Sequence, residues 1–422
     1  MKPFMTTDVV IIGGGAMGTA TAFQMAKAGL DVVLCEMRTL GSGASGRCGG
    51  MVVHCYGREV NIDKTGERLK FQRANTEMLK EFQQELEIDY EFRQVGCLDI
   101  ASSDAEAQEI SDLIDIQRSQ GDYEIELLDK KDTLAIMPTL NPDLVFASRW
   151  RPSDGNLAPY KMCAAFAWGA KKHGAKILTH TKVNKILIEN DRVLGVETDK
   201  GVILGKWVLN ATNAWSKFLS KETECVLPVR EIACVTEAIG PSPAMSFEML
   251  LDGEFSYGGT QTASGNLTIG GPAHPRDRRL GYYNEVTSIN EVQRLGHYLT
   301  KIFPKQKNLS IIRAWTGTMG FAPDGIPLVG KSSLTEGLLI AAGFAAGISQ
   351  ECTVGKIMTE LVTKGEISLD IDMSMYDPGR FNGMSFEWPD PYDLSILHDY
   401  LGAKKRGTEK EYRVPYDLTS ER

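Results

Sequence analysis

The sequence predicts an α/β fold that begins with a Rossmann-type unit, and three observations support this. Residues 9–12 (VVII) form a β-branched run without polar alternation, as in a strand buried on both faces of a parallel sheet. Residues 13–18 (GGGAMG) follow at once and lead into a helical pattern over residues 19–28. Residues 31–36 (DVVLCE) are a second buried strand that ends in an acid. This order is typical of a dinucleotide-binding βαβ unit.

The three glycines of the GxGxxG pattern have different expected roles. Gly13 permits the tight turn, Gly15 lets the backbone approach a pyrophosphate at the helix N-terminus, and Gly18 allows close helix–strand packing. The pattern alone also fits an ordinary glycine turn. The flanking strands, together with Glu36 eighteen residues past Gly18, favour a nucleotide site. Glu36 can accept hydrogen bonds from adenosine ribose hydroxyls and would repel a 2′-phosphate, which argues against NADP.

A second glycine-rich segment separates the candidate cofactors. Residues 38–50 (RTLGSGASGRCGG) follow the acid-ended strand, where an NAD enzyme would usually continue into its next helix. FAD extends from adenine across a pyrophosphate to the isoalloxazine ring and needs such a contact strip, although composition alone also fits a flexible loop. Residues 337–343 predict another strand, and residues 344–349 turn into a helix that reaches about residue 363. The amides that begin this helix could receive the flavin pyrimidine.

Composition and charge limit the class of protein. The 422 residues predict two or three domains, or one nucleotide-binding domain with a large insertion. The 42% of apolar residues excludes global disorder. The net charge of −9, with no basic block, argues against a nucleic-acid partner. The longest nearly apolar stretch, residues 337–348, is shorter than the roughly 20 residues that cross a bilayer, so no membrane span is expected. The N-terminus shows no hydrophobic leader, which predicts a cytoplasmic location.

The cysteines predict reduced, mostly buried thiols. No CxxC pair occurs among the eight cysteines, which argues against a disulfide frame, a zinc site or an iron–sulfur cluster. Zinc binding by Cys48, His54 and Cys55 lacks a recognisable ligand spacing, so no metal site is expected. If electrons leave through iron–sulfur chemistry, another chain must supply the cluster.

The rest of the chain alternates helical and strand patterns. Helical periodicity predicts helices over residues 61–92, 104–120 and 160–174. Residues 175–178, 183–188 and 206–215 predict strands, with hairpin turns at Asn190-Asp191 and at residues 199–201. Further strands are expected between residues 226 and 315, and residues 319–330 read as a loop that feeds a short strand.

Six motifs in order resemble the FAD-dependent D-amino-acid-oxidase superfamily, and more narrowly the β subunits of heteromeric proline, hydroxyproline, sarcosine and opine dehydrogenases. They are IIGGGAMG (11–18), GASGRCG (43–49), VLNATNAW (208–215), RAWTG (313–317), PDGIPLVG (323–330) and AAGF (341–344). The resemblance covers roughly residues 7 to 380. It implies a FAD-binding Rossmann-type α/β domain with an inserted β-rich α+β substrate domain. The implied boundaries are 1–90, 148–218 and 316–380 for the FAD domain, 91–147 and 219–315 for the substrate domain, and 381–422 for a C-terminal extension.

The resemblance also implies the residues that contact FAD. They belong to the two glycine strips, the acid-ended strand, the VLNATNAW motif and the second glycine turn. The expected contacts are Gly13, Gly15, Ala16, Met17, Gly18, Glu36, Met37, Arg38, Ser42, Ala44, Ser45, Arg47, Cys48, Gly49, Val183, Ala211, Trp215, Gly317, Gly343, Ala346, Gly347, Ile348 and Ser349.

Enzymes of this kind oxidise the C–N bond next to a carboxylate by hydride transfer to flavin N5. The implied substrate is a small, N-substituted or cyclic amino acid, and the implied partner is a subunit that carries an electron acceptor or an iron–sulfur cluster. An additional FMN at a subunit interface stays open. Two departures keep a non-catalytic or electron-relay subunit open as well: Met319 stands where many relatives place a carboxylate-binding Arg, and Ala345-Ala346-Gly347 replaces Gly-His-Gly.

Five residues are candidates for the catalytic site. Arg47 could bind a substrate carboxylate or stabilise reduced flavin, or it could satisfy loop carbonyls. His54 could face the ring or the substrate, or be a packed histidine. Tyr257 could be a pocket aromatic or a half-buried strand residue. Thr316 and Met319 line the place where the carboxylate clamp is missing.

Two other arginines are alternatives for the clamp. Arg58 is one; Arg313 is the other, and it should share a strand face with Trp315 because the two are two residues apart. Beyond the family-like region, residues 384–422 are rich in aromatics and proline, which predicts that this segment wraps onto the FAD domain or onto a partner.

Overall fold

A computed structural model gives the architecture of the chain. It describes residues 3–55, 63, 65–240, 246–251, 255–262, 264–272, 283 and 285–384. The strands are β1 (Met5–Ile12), β2 (Val32–Cys35), β3 (Met51–Val52), β4 (Cys97–Ala101), β5 (Glu126–Asp129), β6 (Ala147–Arg151), β7 (Gly155–Asn156), β8 (Lys176–Leu178), β9 (Val183–Glu189), β10 (Arg192–Thr198), β11 (Gly201–Asn210), β12 (Leu227–Ala238), β13 (Ser246–Leu251), β14 (Phe255–Gln261), β15 (Asn266–Pro272), β16 (Ile311–Phe321), β17 (Leu328–Lys331) and β18 (Leu338–Ala342). The α-helices are α1 (Ala16–Lys27), α2 (Glu67–Leu86), α3 (Asp104–Ser119), α4 (Lys130–Ile136), α5 (Pro159–Lys172), α6 (Ile289–Ile302) and α7 (Glu351–Thr363).

The first sheet is the parallel sheet that the N-terminal pattern predicts. Its strand order is β17-β18-β11-β1-β2-β8, and β9 and β10 extend from β11 as an antiparallel pair. The strands β18, β11, β1, β2 and β8 run parallel to one another, whereas β17 is antiparallel to β18. Both faces of β1 are buried, as its unbroken apolar run requires, because α1, α5 and α7 pack on one face and β9 and β10 on the other.

The second sheet is formed mostly by residues that were expected in the substrate domain. Its order is β16-β12-β15-β14-β13-β4-β6-β5, and every pair except β13–β4 is antiparallel. Helix α6 covers one face, with Leu295, Leu299 and Ile302 in the same apolar cluster as Phe247 and Ile269. The opposite face turns toward the first sheet.

Helix α6 is absent from the expectations drawn from the sequence. It begins with a capping box in which the side chains of Ser288 and Glu291 each accept from the other's backbone amide. Glu291 also forms a buried ion pair with Arg230 of β12, so the first turn of the helix is fixed to the sheet that it covers.

Three boundaries also differ from the expectations. Residues 319–321 belong to the long strand β16 rather than to a loop, because β16 stays hydrogen-bonded to β12 through Phe321. The whole of β16 lies in the second sheet, although residues 316–321 were expected in the FAD domain. Strand β6 also lies in the second sheet, because it pairs with β4 and β5, although residues 148–151 were expected in the FAD domain. Residues 385–422, which hold nearly all of the C-terminal extension and its aromatic cluster, lie outside the described residues, as does Arg58.

No helix in the described part of the chain has the length and apolar character that a membrane crossing requires. All eight cysteines are free thiols, and only Cys48 is more than slightly exposed. Within the described ranges, no group of three or more His, Cys, Asp or Glu side chains has the arrangement of a metal site.

A buried ion pair joins the helical layer to the second sheet, and its loss should be costly. Arg151 of β6 and Asp122, just after α3, form this pair with almost no exposure of either side chain. We expect Asp122→Asn to lower the free energy of unfolding by about 3 kcal/mol, because the buried guanidinium loses its nearest counter-charge and keeps only Asp154, 3.6 Å from its Nε. Glu85→Gln, which removes the exposed partner of Lys27, should change it by less than about 1 kcal/mol. Denaturant unfolding of the two variants measures both changes in free energy. Equal changes would contradict the stabilising role of the buried ion pair.

Candidate functional site

The first glycine turn brings three backbone segments together without intervening side chains. Gly13 has φ +106°, and a Cβ there would lie 2.7 Å from the carbonyl oxygen of Ala211 at the end of β11. A Cβ on Gly18 would overlap the carbonyl oxygen of Gly13. Helix α1 starts after Gly15 with no side-chain cap, so its positive end faces the turn.

Glu36 closes this turn from the end of β2. Its two carboxylate oxygens accept from the amides of Gly14, at 2.8 Å, and Arg38, at 2.7 Å. The side chain is 9% exposed, so both bonds are largely shielded from water. These bonds fix the carboxylate beside the turn, where it can still accept from ribose hydroxyls with its remaining lone pairs.

The Gly/Ser strip runs from this turn toward the second sheet. Ser45 accepts from the amide of Ala16, the first residue of α1, at 2.9 Å. Further along, Arg47 uses its guanidinium on three protein acceptors: the carbonyls of Ser42 (2.9 Å) and Thr316 (2.7 Å) and the carboxylate of Glu285 (3.0 Å). This favours the alternative that Arg47 satisfies loop carbonyls, because three of its N–H donors, one on each guanidinium nitrogen, bind protein acceptors.

The second glycine turn is tied to the end of β11. Asn213 accepts from the amide of Phe344 at 2.9 Å and donates to its carbonyl at 3.2 Å. Gly343, which precedes Phe344, has φ +80°. These two hydrogen bonds hold the turn that leads into α7 against the carboxyl end of β11.

A single elongated cavity of about 580 Å³ connects these features. It extends from Glu36 past the first glycine turn to Met319 of the second sheet and to the second glycine turn. Of the predicted residues, the cavity is lined by Gly13, Gly15, Ala16, Met17, Glu36, Met37, Arg38, Ser42, Ala44, Ser45, Cys48, Val183, Ala211, Trp215, Met319, Gly347 and Ile348.

Other predicted cofactor residues stand behind the lining. Gly18 packs on the turn, the carbonyl of Gly49 accepts from Thr260 at 2.7 Å, and Gly317 lies against the Arg47 stem. Ser349 accepts from the amide of Val53 at 2.9 Å. The residues outside the lining are Gly18, Arg47, Gly49, Gly317, Gly343, Ala346 and Ser349.

The structure places His54 outside the cavity. Its Nδ1 lies 2.5 Å from a carboxylate oxygen of Asp154, and its Nε2 lies 2.9 Å from the hydroxyl of Thr76. The residue is 2% exposed. With both ring nitrogens used inside the protein, its position corresponds to the packed histidine that the sequence left open.

Tyr257 and Thr316 also lie away from the cavity, because of strand alternation. Tyr257 stacks on Tyr298 of α6, with ring centroids 4.1 Å apart, on the helix-covered face of the sheet. On β16, Met319 lines the cavity, so Thr316 points to the opposite face. Arg313 and Trp315 share a face as expected, with the guanidinium carbon 5.6 Å from the indole centroid.

Several lining residues were not predicted. Thr212, Asn213, Phe344 and Ala345 lie within motifs that the sequence analysis quoted, so proximity to those motifs was an available signal. Phe218 and Leu219 follow the VLNATNAW motif in a 3-10 turn, which no pattern distinguishes from an ordinary turn. The remaining unpredicted members are Ile12, Cys35, Gly43, Thr181, Lys182 and Asn184.

The residues present fit FAD. The fold and this cavity define a dinucleotide-binding flavoprotein, because bare glycine backbone stands at an uncapped helix N-terminus, a ribose-binding carboxylate lies at one end, and an elongated cavity leads to a second sheet. Residues 8–361 match the DAO family, described as FAD dependent oxidoreductase, and the chain belongs to this family. FAD is accordingly its cofactor.

Known proteins resemble the chain over most of its length. It is 31% identical to L-proline dehydrogenase from P. horikoshii, with a TM-score of 0.79, covering 89% of this chain and 98% of that one. It is 25% identical to glycine oxidase of Geobacillus kaustophilus, over 86% of this chain and 95% of that protein. It is 25% identical to mitochondrial dimethylglycine dehydrogenase of Mus musculus, over 89% of this chain. The chain spans less than half of that protein, 44% of its length.

A buried acid stands at the start of α7, next to the cavity floor. Glu351 is fully buried, and its Oε1 has no hydrogen-bond partner among the described residues. Burial raises the pKa of this carboxyl to about 8. A neutral carboxyl leaves the positive end of α7 unopposed, which favours negative charge at the adjacent turn.

The first prediction from the site concerns the glycine turn. We expect Gly13→Ala to abolish FAD binding, because the new methyl group would displace Ala211 and the turn. Gly29→Ala is the matched control: Gly29 also has positive φ, +87°, but a Cβ there meets nothing within 4 Å. Both variants carry a backbone strain of about 1 to 3 kcal/mol. FAD content measured from visible absorbance should fall only in the first; equal loss in both would assign the effect to strain.

The second prediction concerns pH. Because the pKa of Glu351 is raised in the folded state, its favourable contribution is present below the unfolded pKa and is lost as pH rises through about 8. The stability of Glu351→Gln relative to the unmodified protein should therefore increase from about pH 5 to about pH 8 and then level off. Thermal unfolding of the two holoproteins over this range measures the effect.

Glu360, on the same helix, supplies the control. Burial alone would raise its pKa, but hydrogen bonds from Ser368, Lys364 and Lys356 lower it to about 2. It is ionised in both states above about pH 6, so the effect of Glu360→Gln should not vary there. A flat profile for Glu351→Gln would show that Glu351 is ionised in the folded protein.

Proposed function

We propose that this chain is an FAD-dependent dehydrogenase or oxidase that oxidises the C–N bond of a small, N-substituted or cyclic amino acid. The observation that carries the proposal is that the cavity reaches Met319 of the second sheet, beside the second glycine turn. A substrate would lie between the two sheets, along the face of the second sheet that carries Met319. The names of the similar proteins, which include proline dehydrogenase, glycine oxidase and dimethylglycine dehydrogenase, support a substrate of this class.

The chain's own residues position the cofactor. Amides at the start of α1 and the carboxylate of Glu36 would hold the pyrophosphate and the ribose. FAD, when bound, supplies the electron acceptor for the oxidation. Trp315 donates to the carbonyl of Arg47 at 2.7 Å and so ties β16 to the Gly/Ser strip.

This chain has no arginine at residue 319 to bind a substrate carboxylate. Met319 has no hydrogen-bond donor, and Arg47 gives three of its donors to the protein. The substrate must therefore be held by other groups. The second charged group of an amino acid is its nitrogen. We therefore expect contacts with that nitrogen to contribute more to substrate binding.

We propose further that electrons pass to a partner subunit that carries an iron–sulfur cluster or a second flavin such as FMN. The aromatic-rich segment 385–422 supports this, since exposed aromatics gain stability only when buried. A relay subunit without amine oxidation is a second candidate, favoured by Met319 and by Ala345-Ala346-Gly347 in place of an arginine and a Gly-His-Gly turn.

Anaerobic reduction tests the proposed function. The oxidised holoprotein should lose its visible flavin absorbance when mixed with one of sarcosine, N,N-dimethylglycine, L-proline or glycine, because an amino acid substrate delivers two electrons to the flavin. Dithionite provides the fully reduced reference spectrum. If dithionite bleaches the flavin but no amino compound does, while a co-purifying chain delivers electrons to it, the relay function replaces the proposal.

A further inference from the structure

The second sheet presents one face to the FAD-binding region. Three side-chain contacts establish this: Thr260 donates to the carbonyl of Gly49 at 2.7 Å, Trp315 donates to that of Arg47, and Ser246 donates to that of Gly155 at 3.4 Å. The other face is filled by the apolar cluster under α6. Side chains two residues away from Thr260 and Ser246 therefore also point toward the FAD-binding region.

A continuous row of paired residues crosses this face. The side chains of Ala233, Gly270 and Gly258 are at most a methyl group in size. They lie between the larger side chains of Trp315 and Glu248. The pairing across seven strands is Trp315, Ala233, Gly270, Gly258, Glu248, Asp99 and Arg149.

Glu248 differs from the acid beside it in this row. Asp99 lies 3.5 Å from the guanidinium of Arg149, so its charge is paired. The Oε2 atom of Glu248 is buried and accepts no hydrogen bond in the described part of the chain. Burial raises the pKa of Glu248 to about 8, which shows how poorly the protein alone accommodates its negative charge. A buried carboxylate of this kind is stabilised by a cation that brings its own hydrogen-bond donors.

A second unpartnered group lies at the same joint. Asn156 follows Gly155, the residue that accepts from Ser246, and its Nδ2 is buried without a hydrogen-bond partner among the described residues. An amide donor is suited to a carboxylate or carbonyl oxygen. An acceptor for a cation and a neutral donor for an anion therefore both stand unused where the second sheet meets the ribbon of β3 and β7.

We propose that Glu248 binds the positively charged nitrogen of the substrate, so that this site selects small molecules that carry an ammonium group. The inference rests on the proposed function for the location of the substrate between the two sheets. It assigns to Glu248 the main ionic contact with the substrate, and it leaves the substrate's carboxylate to neutral donors such as Asn156. It accounts for an amino acid site in which Met319 and Arg47 supply no free guanidinium.

Matched ligand pairs test the role of charge. In one pair, sarcosine is compared with methoxyacetate, which has an ether oxygen in place of the nitrogen. In the other, L-proline is compared with tetrahydrofuran-2-carboxylate. Binding to the oxidised holoprotein is followed by perturbation of the flavin spectrum, or by the saturation of the bleaching rate where the amine reduces the flavin. We expect the protein to bind one amine more tightly than its ether.

Variants then assign the preference to one side chain. Glu248→Gln should weaken binding of the amine by about ten- to a hundredfold and leave the ether almost unchanged, because a single charge-assisted contact is lost. Glu248→Asp, which keeps the charge, should retain part of the preference. Glu237→Gln, on β12 of the same sheet, is the matched control, since its exposed carboxylate only accepts from the amide of Ser310, at 2.9 Å.

The outcomes separate the inference from the proposed function. Equal binding of amine and ether, absence of binding by either pair, or an unchanged preference in Glu248→Gln would overturn the role of Glu248, even if amines bleach the flavin. Failure of every amine to bleach it, with the charge preference intact, would refute the oxidation and leave Glu248 as an amine-binding group. If Glu248→Gln does not retain FAD, Glu248→Asp decides the question. A preference for the amine over the ether in Glu248→Asp supports the inference, and loss of that preference contradicts it.

Discussion

Direct backbone contact at the first glycine turn is the constraint on which the cofactor site depends. The ends of β1 and β11 and the start of α1 meet where a side chain on Gly13 or Gly18 would overlap a carbonyl group. Because no side chain intervenes at the turn, an anion can approach the positive end of α1, where the hydroxyl of Ser45 already accepts from the amide of Ala16. Glu36 stabilises this arrangement by accepting from the amide of Gly14, so the same carboxylate that would hold a ribose also holds the turn.

The Gly/Ser strip depends on both sheets at once. Ser45 attaches it to α1, and Arg47 attaches it to β16 of the second sheet and to Glu285. Glu285 also pairs with Arg38 at 2.8 Å, so one acid contacts the strip at two positions. An arginine that fixes the strip in this way has little freedom to bind a substrate.

Three buried carboxyl groups show how the same residue type takes different roles here. Glu291 is paired with Arg230 and fixes a helix, and Glu36 accepts two amides and shapes the cofactor turn. The Oε2 atom of Glu248, by contrast, is buried without a hydrogen-bond partner among the described residues. The first two carboxylates are satisfied within the chain, whereas the proposed partner of the third is the cationic group of a ligand.

The sequence by itself determined the β1-α1-β2 unit, because local periodicity, glycine spacing and a terminal acid act within 30 residues or so of one another. The same local signals located the second glycine turn, whereas most of the cavity lining was named through the family resemblance. Helix α6 carries an equally local signal, the capping box of Ser288 and Glu291, which the sequence analysis did not use.

Tertiary structure decided which side chains face the cavity. Alternation along a strand separates Met319 from Thr316, but only the pairing of β16 with β12 and its contact with the strip determine which of the two points inward. Tyr257 lies under α6 for the same reason. The partners of Arg47 come from residues 42, 285 and 316, and no local pattern connects positions so far apart. Faces and long-range pairs are set by how the two sheets pack, which short-range physical signals in a sequence do not encode.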